Sequence, residues 1–429
     1  MIGLRLYTDM RLYLFRTAAL TFMAAAAACL CACTHEDGQL AGEIAEVTLS
    51  EHSGNAADTK SIHDKYPWQR YPLDYKGLFV IEECDLENPG VRAFLDNTDY
   101  SGDSDYEISA VEQFVSTASD RPQPLIITWK GDAASVELST SPLFDNDVIR
   151  PQIVDSTATI FNLIPGKIYY YRVLGEDGAE IKRACLCPTG PMRMIDGLLK
   201  NVRDLGGWKA DGGHIAYGKV YRGARVDDIQ NDATAMDIFI NTLGVGVDLD
   251  LRGLPPGWQG GSGEKNPWKS GDPVEYCNIK LWNYMHPSSR QNTVPEIVDG
   301  TSADQYQLAI RKIVNWLDDG KVVYFHCHGG ADRTGTLAFL IEALLGVSES
   351  DLSKDFELTT YSGSVHKRDG SAGWFFYPMV KYLRTFAPTG TIKDQVTAWA
   401  MTRHSEEVDP LTQEEISRLR EFLIVKDQI

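Results

Sequence analysis

The chain has 429 residues, enough for two or three domains, and 43% of them are hydrophobic, as in ordinary globular proteins. Its 41 Lys and Arg against 60 Asp and Glu leave a formal charge of −19, which excludes a general role on nucleic acid or on an anionic membrane surface. Nine Trp and 19 Tyr exclude large disordered portions. Residues 1–32 read as a targeting segment: Arg11 and Arg16 supply a basic region, and Thr17 to Leu30 is nearly all apolar. That run is short for a spanning helix and fits a secretory h-region. Met10, directly before the basic region, is a more natural start than Met1.

Leu30-Cys31-Ala32-Cys33 closes the apolar run and resembles a bacterial lipobox. The resemblance implies acylation of Cys33 and a lipid-anchored place in the bacterial cell envelope, periplasmic or surface-exposed; an ordinary signal peptide with incidental cysteines is the other reading. Cleavage before Cys33 removes Arg5, Arg11, Arg16 and Asp9 and takes the charge to −21. An extracytoplasmic compartment permits disulfides. Cys185 and Cys187 share one face of a predicted strand, and Cys84 is a candidate partner for either. A zinc site needs about four ligands. No cluster of His and Cys supplies them, so no metal is expected, and thiols of this kind are most often buried, apolar-like side chains.

Residues 33–76 are polar and read as a tether and lead-in segment, and residues 77–190 as an all-β sandwich. Within the latter, Val91 to Leu95 gives a short helical signal, Leu125 to Trp129 a strand, Ala134 to Ser139 an alternating strand, and Lys167 to Leu174 a strand rich in Tyr and Val. Turns at Lys130-Gly131-Asp132, Phe144-Asp145-Asn146 and Pro165-Gly166 separate them, which favours antiparallel pairing. Leu163-Ile164-Pro165-Gly166-Lys167-Ile168-Tyr169 resembles the tyrosine corner of fibronectin type III domains, with Trp129 where that family keeps its early core tryptophan. The resemblance implies a spacer or binding module without chemistry.

Pro188 to Pro191 reads as a linker, and residues 194–429 alternate helix and strand. Ala233 to Leu243 is predicted helical and Val245 to Leu251 a buried strand. Tyr306, Ala309, Ile310, Ile313, Val314 and Leu317 trace one helical face. Val322 to Phe325 is a second buried strand and Thr334 to Leu345 a helix stopped at Gly346. Helices are further predicted around Ser350–Thr360, Trp374–Phe386 and Thr412–Val425, the last opening on a Thr412/Glu415 capping box. The alternation implies an α/β domain with a mostly parallel central sheet covered on both faces.

Between the second buried strand and its helix stands His326-Cys327-His328-Gly329-Gly330-Ala331-Asp332-Arg333-Thr334. A free thiol has a pKa of ~8.5; a helix N-terminus and an adjacent cation lower it. The backbone N–H groups of His328, Gly329, Gly330 and Ala331 are suited to cradle an anion at the helix start. The glycines permit a positive φ, Arg333 can grip two phosphate oxygens in a planar fork, and Thr334 can stabilise the thiolate. His326 is expected to set the loop from behind through main-chain contacts. A core cysteine after a strand is the plain alternative.

The loop resembles the active site of the cysteine-dependent protein tyrosine phosphatases. Asn201-Val202-Arg203-Asp204-Leu205-Gly206-Gly207, Val220-Tyr221-Arg222-Gly223, Asp248-Leu249-Asp250-Leu251-Arg252 and Leu345-Gly346-Val347 resemble the secreted bacterial tyrosine/serine branch, so that the likeness runs from about Met194 to Leu423. The resemblance implies hydrolysis of phosphomonoesters through a phosphocysteine on Cys327, phosphate bound by Arg333, and no cofactor. The expected substrate is a phosphorylated protein or a small phosphomonoester. Arg203 and Asp204 are expected to form an ion pair supporting a turn, and Asp250 and Arg252 to support the site from a strand end; His286 and His366 read as solvated loop residues. Two departures stand out. Relatives usually carry lysine where this chain has Ala331, which weakens a phosphoinositide reading. Many dual-specificity relatives also place an aspartate where this chain has Asn283, so Asp332 becomes the candidate general acid. Two alternatives stay open. One is an inositol polyphosphate phosphatase, with Lys265, Lys269, Lys280, Arg290, Lys367 and Arg368 as cations near the mouth. The other is an inactive phosphatase fold serving as a binding lipoprotein.

Overall fold

The computed structural model describes residues 47–49, 81–85, 88–97, 122–129, 133–145, 147–190, 194–197, 199–253, 263–281, 302–362 and 377–426. Cys33, Asn283, His286, Arg290, His366, Lys367 and Arg368 lie outside them.

The first part of the chain runs β1 (Val47–Leu49), β2 (Ile81–Asp85), α1 (Pro89–Asn97), β3 (Leu125–Trp129), β4 (Ala133–Ser139), β5 (Ile153–Val154), β6 (Thr157–Ile160), β7 (Tyr169–Gly175) and β8 (Glu180–Thr189). Two four-stranded sheets result, ordered β1-β3-β6-β5 and β2-β8-β7-β4, antiparallel throughout except for the β2–β8 pair. Strand β3 buries alternate residues, as a sheet with one face on a core must. Leu125, Ile127 and Trp129 from the first sheet share one apolar core with Val136, Leu138, Tyr171, Val173 and Leu186 from the second. The Tyr169 hydroxyl accepts a hydrogen bond from Ile164 N at 2.9 Å across the turn before β7. Cys185 and Cys187 are buried. Cys185 packs on the other face of the second sheet with Phe144, Ile168 and Tyr170.

The second part opens with β9 (Arg203–Asp204), β10 (Lys209–Ala210), β11 (Gly213–Ile215) and β12 (Val220–Gly223). Then come α2 (Ala233–Asp237), which continues as a π-turn over Ile238–Thr242, β13 (Val245–Asp250), β14 (Glu275–Asn278), α3 (Ala303–Asp318), β15 (Val322–His326), α4 (Asp332–Leu345) and α5 (Glu349–Glu357) with a 3-10 extension over Leu358–Ser362. The chain ends through α6 (Tyr377–Arg384), α7 (Ile392–Ala400), α8 (Gln413–Leu423) and β16 (Ile424–Lys426). The central sheet has order β14-β13-β15-β12-β9; its first four strands are parallel and β9 is antiparallel. Both faces are covered. Val323 and Phe325 of β15 join the core built by α3, α4 and α6 to α8, while Tyr324 joins the core under α2. That two-sided burial is why β15 reads as an unbroken apolar run rather than an alternating one.

Three expectations change. Helix α4 begins at Asp332, not Thr334, so Asp332 is its first residue. Helix α7, opened by a Thr391/Asp394 capping box, was not anticipated. Helix α1 falls within the segment predicted as sandwich, yet Val91 is fully buried in the core of the α/β body, with Leu95 packed against it. Its apolar face is covered by the helices of the second part.

Candidate active site

Strand β15 is the middle of the five-stranded sheet and ends at His326; α4 begins at Asp332. Cys327 to Ala331 therefore form the turn from the carboxyl end of a central strand to a helix N-terminus, where backbone donors and the helix dipole favour an anion. Cys327 is buried, 4% exposed, whereas His328 is exposed and Gly329 half-buried. Gly330 has φ +68°, and a Cβ there would stand 2.4 Å from the Gly223 carbonyl carbon, so the close approach of loop and β12 admits only glycine. Arg333 and Thr334 are buried in the first turn of α4, and Arg333 Nη1 donates to Leu251 O at 3.4 Å. Burial pushes the Cys327 thiol up and the Asp332 charge opposes ionisation too. The Arg333 guanidinium and the hydroxyl and amide of Thr334 outweigh both, so the thiol is held below its ordinary value. The result is a thiol that ionises more readily than a free cysteine, the requirement for a nucleophile.

Behind Cys327 lies a buried ionic floor. His326 Nε2 is 2.9 Å from Asp248 Oδ1, with both side chains fully inaccessible. Burial disfavours the imidazolium, but the Asp248 carboxylate overcomes it and raises the His326 pKa to about 9. The ring is then doubly protonated near neutral pH, and its Nδ1–H donates to Cys327 O at 3.0 Å. Trp268 Nε1 donates to Asp248 Oδ2 at 2.8 Å and fixes the carboxylate. Two residues further along β13, Asp250 accepts from Arg252 N and Nε, each at 2.9 Å, and from Arg252 Nη2 at 2.8 Å. Arg252 also holds Asp227 through Nη1 at 2.9 Å and Nη2 at 2.6 Å. Burial opposes ionisation of Asp250, but its bonds to Arg252 and the His326 charge keep its carboxyl below the usual range. Asp250 and Arg252 are thus engaged with each other and with the loop that carries Asp227.

The other side of the loop is held by its carbonyls. Asn201 Nδ2 donates to Gly330 O at 3.0 Å and Gly329 O at 3.2 Å, and reaches Thr359 Oγ1 at 3.3 Å. Arg222 Nη2 donates to Gly330 O at 3.1 Å, and its Nη1 bonds Asp355 Oδ2. Arg203 donates from Nε to Asp355 Oδ1 at 3.0 Å, from Nη2 to Asp355 O at 2.7 Å and from Nη1 to Asn201 Oδ1 at 2.6 Å. Because the two ends of a planar trans peptide point oppositely, tying back these carbonyls turns the N–H groups of Gly330 and Ala331 to the opposite side of the loop, as in an anion-binding nest. The expected Arg203–Asp204 pair is not formed. Arg203 pairs with Asp355, while Asp204 accepts from Gly206 N at 2.8 Å and Gly218 N at 2.7 Å. Asn201, Arg222 and Asp248 were visible as members of quoted motifs; Asp355, Asp227 and Trp268 carried no signal.

At the rim, Arg225 N donates to His328 O at 3.3 Å and its Nη1 lies 3.3 Å from His328 Nδ1. Partial burial, then the Arg225 and Arg252 charges, lower the His328 pKa, so the ring is neutral near neutral pH. Lys265 meets Asp228 at 3.3 Å and Lys280 meets Glu264 at 2.8 Å.

Residues 196–373 match the tyrosine phosphatase family. A Cupriavidus necator protein, itself named only provisionally as a tyrosine-protein phosphatase, is 28% identical over 168 residues. The aligned stretch covers 37% of this chain and 59% of that relative, so this chain spans less than two thirds of the relative's length. The matched segment contains the whole five-stranded sheet and the loop Cys327–Arg333: it is similar to a tyrosine phosphatase family domain, and family and relative together support a phosphatase hydrolase.

Proposed function

We propose that this chain hydrolyses phosphomonoesters through a phosphocysteine, with phosphotyrosine the preferred substrate group. The observation that carries the reading is the Cys327 thiol, held below its ordinary pKa by Arg333 and Thr334 at the end of a parallel strand. In the first step the Cys327 thiolate attacks phosphorus. The P–O bond to the leaving group breaks, its electron pair departs with the oxygen, and Asp332 supplies that oxygen with a proton. Arg333 spans two phosphoryl oxygens, and N–H groups of the loop bind the growing negative charge. In the second step Asp332, now a carboxylate, takes a proton from water as its oxygen attacks phosphorus. The P–S bond breaks and the sulfur leaves as a thiolate beside Thr334. Asp332 is half-buried in the first turn of α4, next to Arg333, as this role needs.

Of the described cations assigned to an inositol polyphosphate rim, Lys265 and Lys280 are each matched by a carboxylate, which favours a singly phosphorylated substrate. The N-terminal sandwich is proposed to be a fibronectin type III-like module, on the Tyr169–Ile164 corner, and Cys33 to carry a lipid that holds the protein at the cell envelope. The decisive experiment is hydrolysis of an aryl phosphate in EDTA by wild type and Cys327→Ser. Turnover by the wild type and none by the variant is expected; turnover that needs added metal, or that survives the substitution, overturns the mechanism.

A further inference from the structure

We propose that helix α1, which lies between β2 and β3 in sequence and outside the family-matched segment, is a positioning element of the active site: it braces the segment that ties back the phosphate loop. This inference rests on the phosphatase reading and extends it to residues 89–97.

Helix α1 is short, and nine residues are too few to be helical alone in water. Two things sustain it. Asn88 Oδ1 accepts from Gly90 N at 2.9 Å and from Val91 N at 3.4 Å, which caps its start. Its apolar face is docked, with Val91 fully buried in the same core as Leu352, Phe356 and Tyr361. Both ends are also gripped from α5 and its 3-10 extension. Lys354 Nζ donates to Leu95 O at 2.7 Å, and Tyr361 Oη donates to Gly90 O at 3.4 Å. Leu95 O is among the last carbonyls of α1, which lack a partner within the helix and favour a cation.

The same short segment faces the catalytic loop with its intervening residues. Asp355, beside Lys354, receives Arg203 and Arg222; Thr359, two residues before Tyr361, receives Asn201. Arg222 and Asn201 in turn hold the carbonyls of Gly329 and Gly330. The two contacts to α1, from Lys354 and Tyr361, thus bracket the two contacts to the loop's supports, at Asp355 and Thr359. The Gly223 carbonyl also packs against the loop, closely enough that a Cβ on Gly330 would stand 2.4 Å from its carbon. Displacement of α5 is therefore felt at Gly330 through Arg222 and Asn201. Helix α1 also follows β2 after only three residues, and β2 pairs with β8, so the sandwich and the brace are joined by the shortest of links.

The test uses the full chain. Val91→Asp undocks α1, and Lys354→Met keeps the aliphatic stem while removing the bond to Leu95 O. Three quantities are read well below each variant's melting temperature: kcat/KM on an aryl phosphate, the Kd of inorganic phosphate, and the pH midpoint of Cys327 alkylation by iodoacetamide, followed on the Cys327 peptide. A loop misplaced by a fraction of an ångström to an ångström predicts a fall in kcat/KM of about 10- to 100-fold for Val91→Asp, with a smaller loss for Lys354→Met. It also predicts weaker phosphate binding and a midpoint moved up toward the ordinary thiol value of ~8.5. A merely structural helix lowers the melting temperature and moves none of the three; that result in a folded variant overturns the proposal. Should Val91→Asp fail to fold, Lys354→Met decides. A wild type that binds phosphate but turns over no ester would defeat the phosphatase reading alone, because the Kd and the alkylation midpoint still report the brace.

Discussion

Asp248→Asn removes one charge from the floor beneath Cys327 and leaves the shape intact. The amide oxygen can still accept the Trp268 N–H that now bonds Asp248 at 2.8 Å. What is lost is the counter-ion 2.9 Å from His326 Nε2, in a place with no solvent to replace it. The His326 pKa stands at about 9 against an ordinary 6.5, and at 1.36 kcal/mol per tenfold this corresponds to about 3 kcal/mol of coupling between protonation and folding. That agrees with the ~3–5 kcal/mol typical of breaking a buried pair. The sign follows from linkage. The folded state holds the proton more tightly than the unfolded one, so the stabilisation is complete below pH 6.5 and disappears as the pH rises through about 9. Cys327 contributes the opposite slope, because its lowered pKa adds stability above the ordinary thiol value and loses it as the pH falls. The comparison therefore belongs in a Cys327→Ser background. Urea unfolding at pH 6 and pH 9.5 should show Asp248→Asn destabilised by about 3 kcal/mol at the lower pH and by about 1 kcal/mol or less at the higher. Equal destabilisation at both values would mean that His326 is not held as an imidazolium, and the ionic account of the floor would fall.

Three further outcomes follow from the same geometry. Asp332→Asn should cost ~10²–10⁴-fold on a tyrosyl or alkyl phosphate and far less on an activated nitrophenyl ester; equal losses on both esters would remove Asp332 as the acid. Gly330→Ala places a methyl 2.4 Å from the Gly223 carbonyl carbon at φ +68°, so thermal melting should report a loss of at least about 2 kcal/mol, together with abolished turnover. Glu342 is fully buried with neither carboxylate oxygen hydrogen-bonded, and burial, then the Asp355 charge, push its pKa well up. A carboxyl raised in the folded state costs stability as the pH rises past its ordinary 4.5, so Glu342→Gln should match wild type in melting at pH 4.5 and exceed it at pH 8.

The turn between β15 and α4 was legible as a candidate site because its signal is local. An apolar strand, a glycine turn and an apolar helix occupy one stretch, and the chemistry proposed for Cys327 and Arg333 needs no distant partner to be read. The supports were not legible, since each joins residues far apart in sequence: Arg203 and Asp355 are separated by 152 positions. The nearer guess, Arg203 with Asp204, fails on strand geometry alone. Successive side chains on β9 point to opposite faces, so neighbours in a strand cannot pair with each other. Helix starts divide on the same principle. Thr412 with Glu415 announced α8, whereas Thr391 with Asp394 performs the same reciprocal capping with a shorter acid and passed unnoticed. The start of α4 carries no capping side chain at Ala331, and the loop runs straight into the helix. Helix α1 showed its apolar spacing, but spacing does not say which core receives it.

The least economical feature of the domain is also the one that explains its shape. Arg203, Arg222 and Arg252 are 0–1% exposed, and Asp355, Asp250 and Asp248 are equally hidden. Buried pairs of this kind rarely add net stability, and apolar residues of similar volume would often serve the fold as well. Apolar residues could not, however, hold the carbonyls of Gly329 and Gly330, nor fix the Cys327 carbonyl through His326. Arg222 orients the Gly330 carbonyl directly, Arg203 acts through Asn201, and the Asp248–His326 pair orients the Cys327 carbonyl, while Asp250 and Arg252 hold the neighbouring loop that carries Asp227. The floor is thus better understood as a jig for the loop Cys327–Arg333 than as part of the core. Replacing a whole buried pair by apolar residues of similar volume should accordingly separate turnover from stability, lowering the first more than the second.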